Sequence, residues 1–262
     1  MDMVASTDRW VARAAGLYFE ISYRLLTGSP EGLRFLRLTA PLSGMTAHGY
    51  TTVDDLDALI RVLEPRKSDP LMDLGCGVGG IALEVNRRTG ASVTGIDIAT
   101  RAIKIATDAA IAVGAQPGVS FVVGSIRHPP RVGATGAYAL DSLMFVPIDA
   151  DALLGIRDAL DGRGRLFSTV LGIGQAPRDR VATVATALGM TVIESEDVTD
   201  GLQARSEWRR GVARHLLRRR QWSIRGGLAM GLVVVEESLV QREVHAGRLR
   251  RWRTVVDLRI QA

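Results

Sequence analysis

The sequence predicts an α/β protein: a doubly wound sheet of about seven strands, mostly parallel with an antiparallel last strand, and a helical cap added to it. Three observations lead there. From residue 70 onward, short apolar runs alternate with helical segments, the pattern of βα units and a parallel sheet. A glycine-rich turn, residues 75–80, joins the first of those runs to a helix. Roughly 50 residues of helical, arginine-rich chain then separate the sixth run from the last, far too many for a hairpin connection.

Taken in order, Trp10, Ala14, Leu17, Ile21 and Leu25 recur at helical spacing and stop before Gly28 and Pro30, which predicts an amphipathic helix. A second helix starts at Thr51 or Thr52. Asp54 and Asp55 suit its first turn, Val53, Leu56, Ile60 and Leu63 make its apolar face, and Pro65 ends it. Strands are predicted at Leu71–Leu74, Val93–Ile96, Val119–Val123, Ala137–Leu140, Arg165–Leu171 and Thr191–Val198. Helical candidates between them carry Ala102, Ile105, Ala109 and Val113, or Leu153, Ile156 and Leu160. The last segment alternates Trp252, Thr254, Val256, Leu258 and Ile260 with Arg251, Arg253, Asp257 and Arg259, as a strand with one wetter face does. The expected division is an N-terminal helical cap over 1–65, a core over 66–198, a helical cap insert over 199–250 and a last core strand over 251–262.

Composition narrows the function classes. Of 262 residues, 47% are apolar and 23% charged, which excludes disorder as the main state. The net charge is +5, and only Lys67 and Lys104 among the 33 basic residues are lysines. The single cysteine, Cys76, makes neither an intrachain disulfide nor a cysteine metal site and fits a reducing, cytoplasmic setting. The longest apolar run, Gly226–Val235, is about half the roughly 20 residues of a membrane span. No spacing of His, Cys and carboxylates suits a metal, and none is expected.

The chemistry concentrates in Leu71-Met72-Asp73-Leu74-Gly75-Cys76-Gly77-Val78-Gly79-Gly80, which runs from a buried strand into a helix. Its glycines allow a tight turn and let a ligand lie against bare backbone. Asp97 follows Asp73 by 24 residues at the end of the next strand, where a carboxylate accepts hydrogen bonds from both ribose hydroxyls. Together these features make a Rossmann-like nucleoside half-site. Gly75, Gly77 and Gly80 also satisfy the spacing of dinucleotide sites, so spacing alone leaves the nucleoside open.

At Asp73, Gly75, Gly77 and Gly79 the sequence resembles the class I S-adenosylmethionine-dependent methyltransferases of small-molecule type. That resemblance implies S-adenosylmethionine as cofactor, held by Asp73, Gly75, Cys76, Gly77, Gly79, Asp97 and Ile98. The family often has an acid after the third strand for the adenine amino group; here Ser125 takes its place and Ile126 follows to pack on the purine. Leu140 and Asp141 end the fourth strand and complete the cofactor-binding set that the resemblance implies, and Asp141-Ser142 is similar to small-molecule members. The loop Ser43–Thr52, with His48 in it, resembles a segment that closes over the cofactor.

His48 and Asp141 are therefore the catalytic candidates, as proton acceptor or substrate contact. His128 reads as an exposed loop residue, His215 as a helix packing or exposed residue and His245 as solvated; Tyr50 and Tyr138 read first as packing elements. The basic insert places Trp208, Val212 and Leu216 on one helical face, with Arg205, Arg209, Arg210, Arg214, Arg218, Arg219, Arg220 and Arg225 around it. A solvated face is the first reading of those arginines, and an acidic small-molecule substrate gripped by them the sharper one. The expected function is methyl transfer to an oxygen or nitrogen of a small metabolite or natural product. Three alternatives stay open: a cyclase or other catalyst that keeps the fold and cofactor, a nicotinamide-dependent oxidoreductase, and a basic RNA-binding protein, the last disfavoured because no compact recognition domain is apparent. Oligomeric state is not predicted.

Overall fold

The computed structural model describes residues 21–116, 118–218 and 223–260. The predicted helix positions Trp10, Ala14 and Leu17 and the insert residues Arg219, Arg220 and Trp222 lie outside them. Residues 21–27 are helical, followed by α1 (Pro30–Leu38) and α2 (Val53–Leu63). The sheet is built from β1 (Pro70–Leu74), β2 (Ser92–Asp97), β3 (Val119–Val123), β4 (Gly136–Leu140), β5 (Arg165–Ile173), β6 (Met190–Asp197) and β7 (Leu249–Ile260). Between the strands lie α3 (Gly80–Thr89), α4 (Thr100–Ala112), α5 (Ala150–Ala159), α6 (Arg180–Ala187), α7 (Thr199–Arg218) and α8 (Ile224–His245).

The strand order is β3-β2-β1-β4-β5-β7-β6. β1 to β5 pair in parallel, and β7 runs antiparallel between β5 and β6. The order reverses between β1 and β4, so the carboxyl ends of these strands open the crevice where ligands of doubly wound sheets bind. One sheet face packs Met72, Leu74, Ile156, Leu166 and Val256 under α5 and α6. The other packs Leu56, Leu59, Val85, Tyr138 and Phe167 under α2 and α3.

Local chemistry explains the element boundaries. Thr52 and Asp55 form a reciprocal capping box at the start of α2, satisfying two otherwise orphaned N–H groups. Sequence patterning missed α1, although Ser29 accepts from Gly32 N and Pro30 occupies the first turn, a legible start signal. In α4 the buried line is Ala102, Ile103, Ala106 and Ala110, one position round from the predicted face, and Val113 is exposed.

Two arginine-bearing faces also differ from expectation. On α7 the buried line passes through Leu202, Ser206, Arg209, Val212 and Leu216; Trp208 is 53% exposed and donates from its indole to Leu38 O at 3.3 Å. On β7, Arg251 is 0% exposed rather than on a wet face. Both buried arginines have carboxylates waiting, which the periodicity could not show.

The N-terminal helices and the late insert, far apart in sequence, share one core: Leu26, Phe35 and Leu36 pack with Val212, Leu216, Ala229, Met230 and Val233. The loop 43–52 passes from this cap across the start of α3, where Thr46 O lies 2.0 Å from the position a Cβ on Gly80 would take. Gly80→Ala must therefore push that loop away. A loss of about 1–3 kcal/mol in urea unfolding, with faster proteolysis in residues 43–52, is the expected result.

Candidate functional site

The site is built at the carboxyl ends of β1, β2 and β4. After β1 the chain turns through Gly75, Gly77 and Gly79, all at positive φ. Gly75 N and Cys76 N both donate to Ile96 O, at 2.7 and 3.1 Å, which lashes the turn to β2. Gly77 N donates to Asp97 Oδ2 at 2.9 Å, and Ala99 N donates to Oδ1 at 2.8 Å. The carboxylate at the tip of β2 is thus oriented from both sides. A side chain at Gly77 is opposed twice, by the strain of φ +53 and by Tyr23 Oη, which lies 2.5 Å from the position of its Cβ and would have to move.

Burial raises the carboxyl of Asp97, while the Ala99 and Gly77 N–H groups oppose the shift. Asp73 behaves more strongly. It is buried beneath the turn, its Oδ2 has no hydrogen-bond partner, and burial pushes its pKa up to about 8, with Tyr138 lowering and Asp97 reinforcing the shift. The Tyr138 hydroxyl is near enough to moderate that charge, yet it is itself buried outside hydrogen-bond geometry. Cys76 is buried, and burial raises its thiol, assisted by Asp73 and Asp97; it is a packing residue in a tight turn.

The remaining predicted cofactor positions separate. Ile98 is 69% exposed directly after Asp97, an uncovered aliphatic face beside the turn. Ser125 is exposed and its hydroxyl accepts from Arg127 N at 3.2 Å. Ile126 and Leu140 are half-buried against the two sheet cores.

Asp141 holds a left-handed backbone, φ +55, and its carboxylate is saturated by neighbours. Arg251 donates to it twice, Nε to Oδ1 at 2.8 Å and Nη2 to Oδ2 at 3.2 Å. Thr169 Oγ1 and Tyr50 N donate as well, both at 3.1 Å. Arg251 also donates from Nη1 to Asp55 Oδ2 at 2.9 Å. Asp141 and Asp55, from β4 and α2, hold the guanidinium well above its ordinary range against the pull of burial. The predicted substrate-side carboxylate is therefore one half of a buried ion pair.

His48 lies half-buried above the turn, its ring 5.8 Å from that of Tyr23. Burial, and then Arg209, push its pKa down to about 3. Arg209 is fully buried, donating to Glu237 Oε1 at 2.5 Å and to Gly49 O at 3.2 Å, with the faces of Phe35 and Tyr50 each 5.1 Å from its guanidinium carbon. It thus joins α7, α8, α1 and the 43–52 loop. His128 is exposed beside Asp151, with Nε2 at 3.1 Å; His215 is exposed, and His245 contacts Gln241 O at 2.7 Å. Among the described residues no group of His, Cys, Asp and Glu could hold a metal ion.

Sequence reasoning missed Tyr23, Asp55, Glu237 and Arg251 as parts of this region. Asp55 carried only the signal of a first-turn acid and Arg251 that of a wet-face strand residue, and neither signal points to a buried pair.

Comparison with known proteins bears on this geometry. A family model described as a methyltransferase domain matches residues 71–163, which contain the glycine turn, Asp97 and Asp141. The norajmaline N-methyltransferase of Rauvolfia serpentina is 31% identical over 107 residues, covering 40% of this chain and 37% of that protein. The methyltransferase GfsG of Streptomyces halstedii is 27% identical over 148 residues, 53% of each chain. The chain thus spans about half, or less, of the length of these relatives.

Among solved structures, the [4+2]-cyclase SpnF superposes with a TM-score of 0.69 at 20% identity, covering 91% of this chain and 95% of that one. Phosphoethanolamine N-methyltransferase 2 of Haemonchus contortus, solved with S-adenosyl-L-methionine, gives 0.70 at 16% identity over 88% and 57%. The ambiguity left by glycine spacing falls on the side of the sulfonium cofactor rather than a nicotinamide. Residues 71–163 match a methyltransferase domain, and the chain around them has the fold of S-adenosylmethionine-dependent methyltransferases.

Proposed function

We propose that the chain transfers the methyl group of S-adenosylmethionine to a neutral amine nitrogen of a small-molecule acceptor held between the sheet edge and the α7–α8 cap. The observation that carries the reading is the oriented carboxylate of Asp97 beside a glycine turn that Tyr23 closes from above. The residues fit the cofactor: Asp97 for the ribose, the exposed face of Ile98 for the purine, and the orphaned Oδ2 of Asp73 for the positive methionine end. When bound, the sulfonium supplies a methyl group that is already strongly electrophilic. The protein has to align the nucleophile and exclude water.

The choice of nitrogen follows from the two catalytic candidates. With its pKa near 3, loading a proton onto His48 at pH 7 costs about 5 kcal/mol. His48 accordingly serves as a neutral hydrogen-bonding group that orients the acceptor. Asp141 is neutralised by Arg251 and positions β4. A neutral amine attacks without prior proton removal, and a dry site favours that neutral form. The N-methyltransferase activity named for the Rauvolfia relative supports the same reading. A second reading, a cyclase that retains the cofactor, is favoured by the near full-length likeness to SpnF.

Methyl-labelled S-adenosylmethionine separates the two when incubated with panels of small amines, phenols and polyene substrates. Label on nitrogen is the expected result. Label on oxygen alone overturns the nitrogen assignment, and ring closure with the label still on the cofactor supports the cyclase.

Asp97→Ala is expected to weaken binding of S-adenosylhomocysteine by about 1–3 kcal/mol in calorimetric titration; unchanged affinity removes Asp97 from the ribose. Asp73 adds a pH dependence whose sign is fixed. Below about pH 8 its carboxyl is protonated in the free protein, whereas an ammonium group favours the carboxylate, so binding releases a proton and weakens as pH falls from 8. Titrations in buffers of different ionisation enthalpy should detect that proton, and Asp73→Asn should abolish it. His48 provides a further check: its imidazole should stay neutral in NMR titration down to about pH 4, and stability should fall as pH drops from about 6.5 toward 3, because only the unfolded chain takes up that proton.

A further inference from the structure

The outward side of α8 is unlike a solvent face. Between Arg225 and Arg242 every exposed position on this helix is aliphatic: Leu228, Leu232, Val235 and Leu239. With Ile224 they form a stripe at helical spacing whose members are 45% to 80% exposed. The inner side is equally committed, since Ala229, Met230 and Val233 fill the cap core and Glu237 holds Arg209. A helix apolar on both sides is expected to be covered on both.

The stripe has relief as well as area. Ile224, Gly227, Leu228, Gly231 and Leu232 line a groove on this face, and no atom lies within 4 Å of the position a Cβ on Gly231 would take. Leu228 and Leu232 stand as knobs beside the open position at Gly231, Gly227 lines the same groove, and a small-xxx-small spacing lets two helices approach closely. A twofold interface uses one patch twice and needs it to fit itself, and a ridge beside a groove on one helix face supplies both halves of such a fit.

We propose that two copies of this chain associate through α8, antiparallel about a twofold axis near Gly231. Five side chains at these exposures offer on the order of 500 Å² of apolar surface per copy, so pairing covers about 1,000 Å², the lower bound for a specific interface. A weak, concentration-dependent dimer follows. A bilayer is a poorer occupant, because a flat surface leaves the groove unfilled and the stripe lacks the Trp or Phe that interfacial helices use.

Sedimentation of the full chain should show dimer mass in the micromolar range, and Leu232→Arg should return it to monomer with S-adenosylhomocysteine affinity unchanged. The sole native cysteine, Cys76, is buried, so introduced thiols report geometry. Gly231→Cys at the axis should cross-link to its own copy under mild oxidation, and Ile224→Cys, far from the axis, should not. A chain that stays monomeric to about 100 µM, including one that binds lipid vesicles as a monomer, overturns the proposal. So does a dimer indifferent to Leu232→Arg, or one that cross-links through residue 224 instead of 231.

Discussion

One buried guanidinium organises the ligand-facing edge of the sheet. Arg251 projects from β7, bonds Asp141 at the end of β4 and Asp55 in the first turn of α2, and is wholly removed from water. Asp55 in turn caps α2, and Asp141 accepts Tyr50 N from the covering loop. Taking a cation and two carboxylates out of water is expensive unless their lone pairs and protons are matched. Here the matching draws strand, helix and loop to one point, and it holds Asp141 in a left-handed conformation costly for a residue with a side chain. The backbone beside the glycine turn owes its course to that arrangement: Ser142, the next residue, donates to Leu74 O at 2.5 Å and so fixes β4 against the start of the turn.

A second buried pair does for the cap what the first does for the sheet. Arg209 and Glu237 join α7 to α8 inside an apolar cluster, and Arg209 reaches Gly49 O in the loop that carries His48 and Tyr50. The two pairs meet through that loop, anchored at Tyr50 by Asp141 and at Gly49 by Arg209. Its position above the glycine turn is thus set by electrostatics at two adjacent residues. The same Arg209 charge helps keep His48 neutral, which links the cap's assembly to the chemistry allowed beneath it.

The sheet, its order of elements and the glycine turn were legible because each has a local cause. Apolar runs at β1 and β4 need no partner to be recognised as buried, positive φ selects Gly75, Gly77 and Gly79, and the α2 cap is written in Thr52 and Asp55. Arg251 and Arg209 were not legible, because their burial depends on carboxylates 110 and 28 residues away. Periodicity treats such an arginine as solvated, and so it assigned Arg251 to a wet face of β7 and set Trp208 in place of Arg209 beside Val212 and Leu216 on the buried face of α7. Asp141 drew attention for its place at the end of β4; its partner lies on the last strand, where pattern shows only alternation.

The most direct test of the account is a double-mutant cycle on Arg251 and Asp141, read by urea unfolding. Arg251→Met alone strands two buried carboxylates and should cost about 3–5 kcal/mol. Asparagine tolerates left-handed backbone, so Asp141→Asn changes charge with little change in conformation. The account predicts opposite signs for that substitution: destabilising in the natural chain, stabilising in Arg251→Met, where it removes a stranded charge. An equal cost of Asp141→Asn in both backgrounds would contradict it, since the two residues would then fold independently and the sheet edge would owe nothing to their pairing.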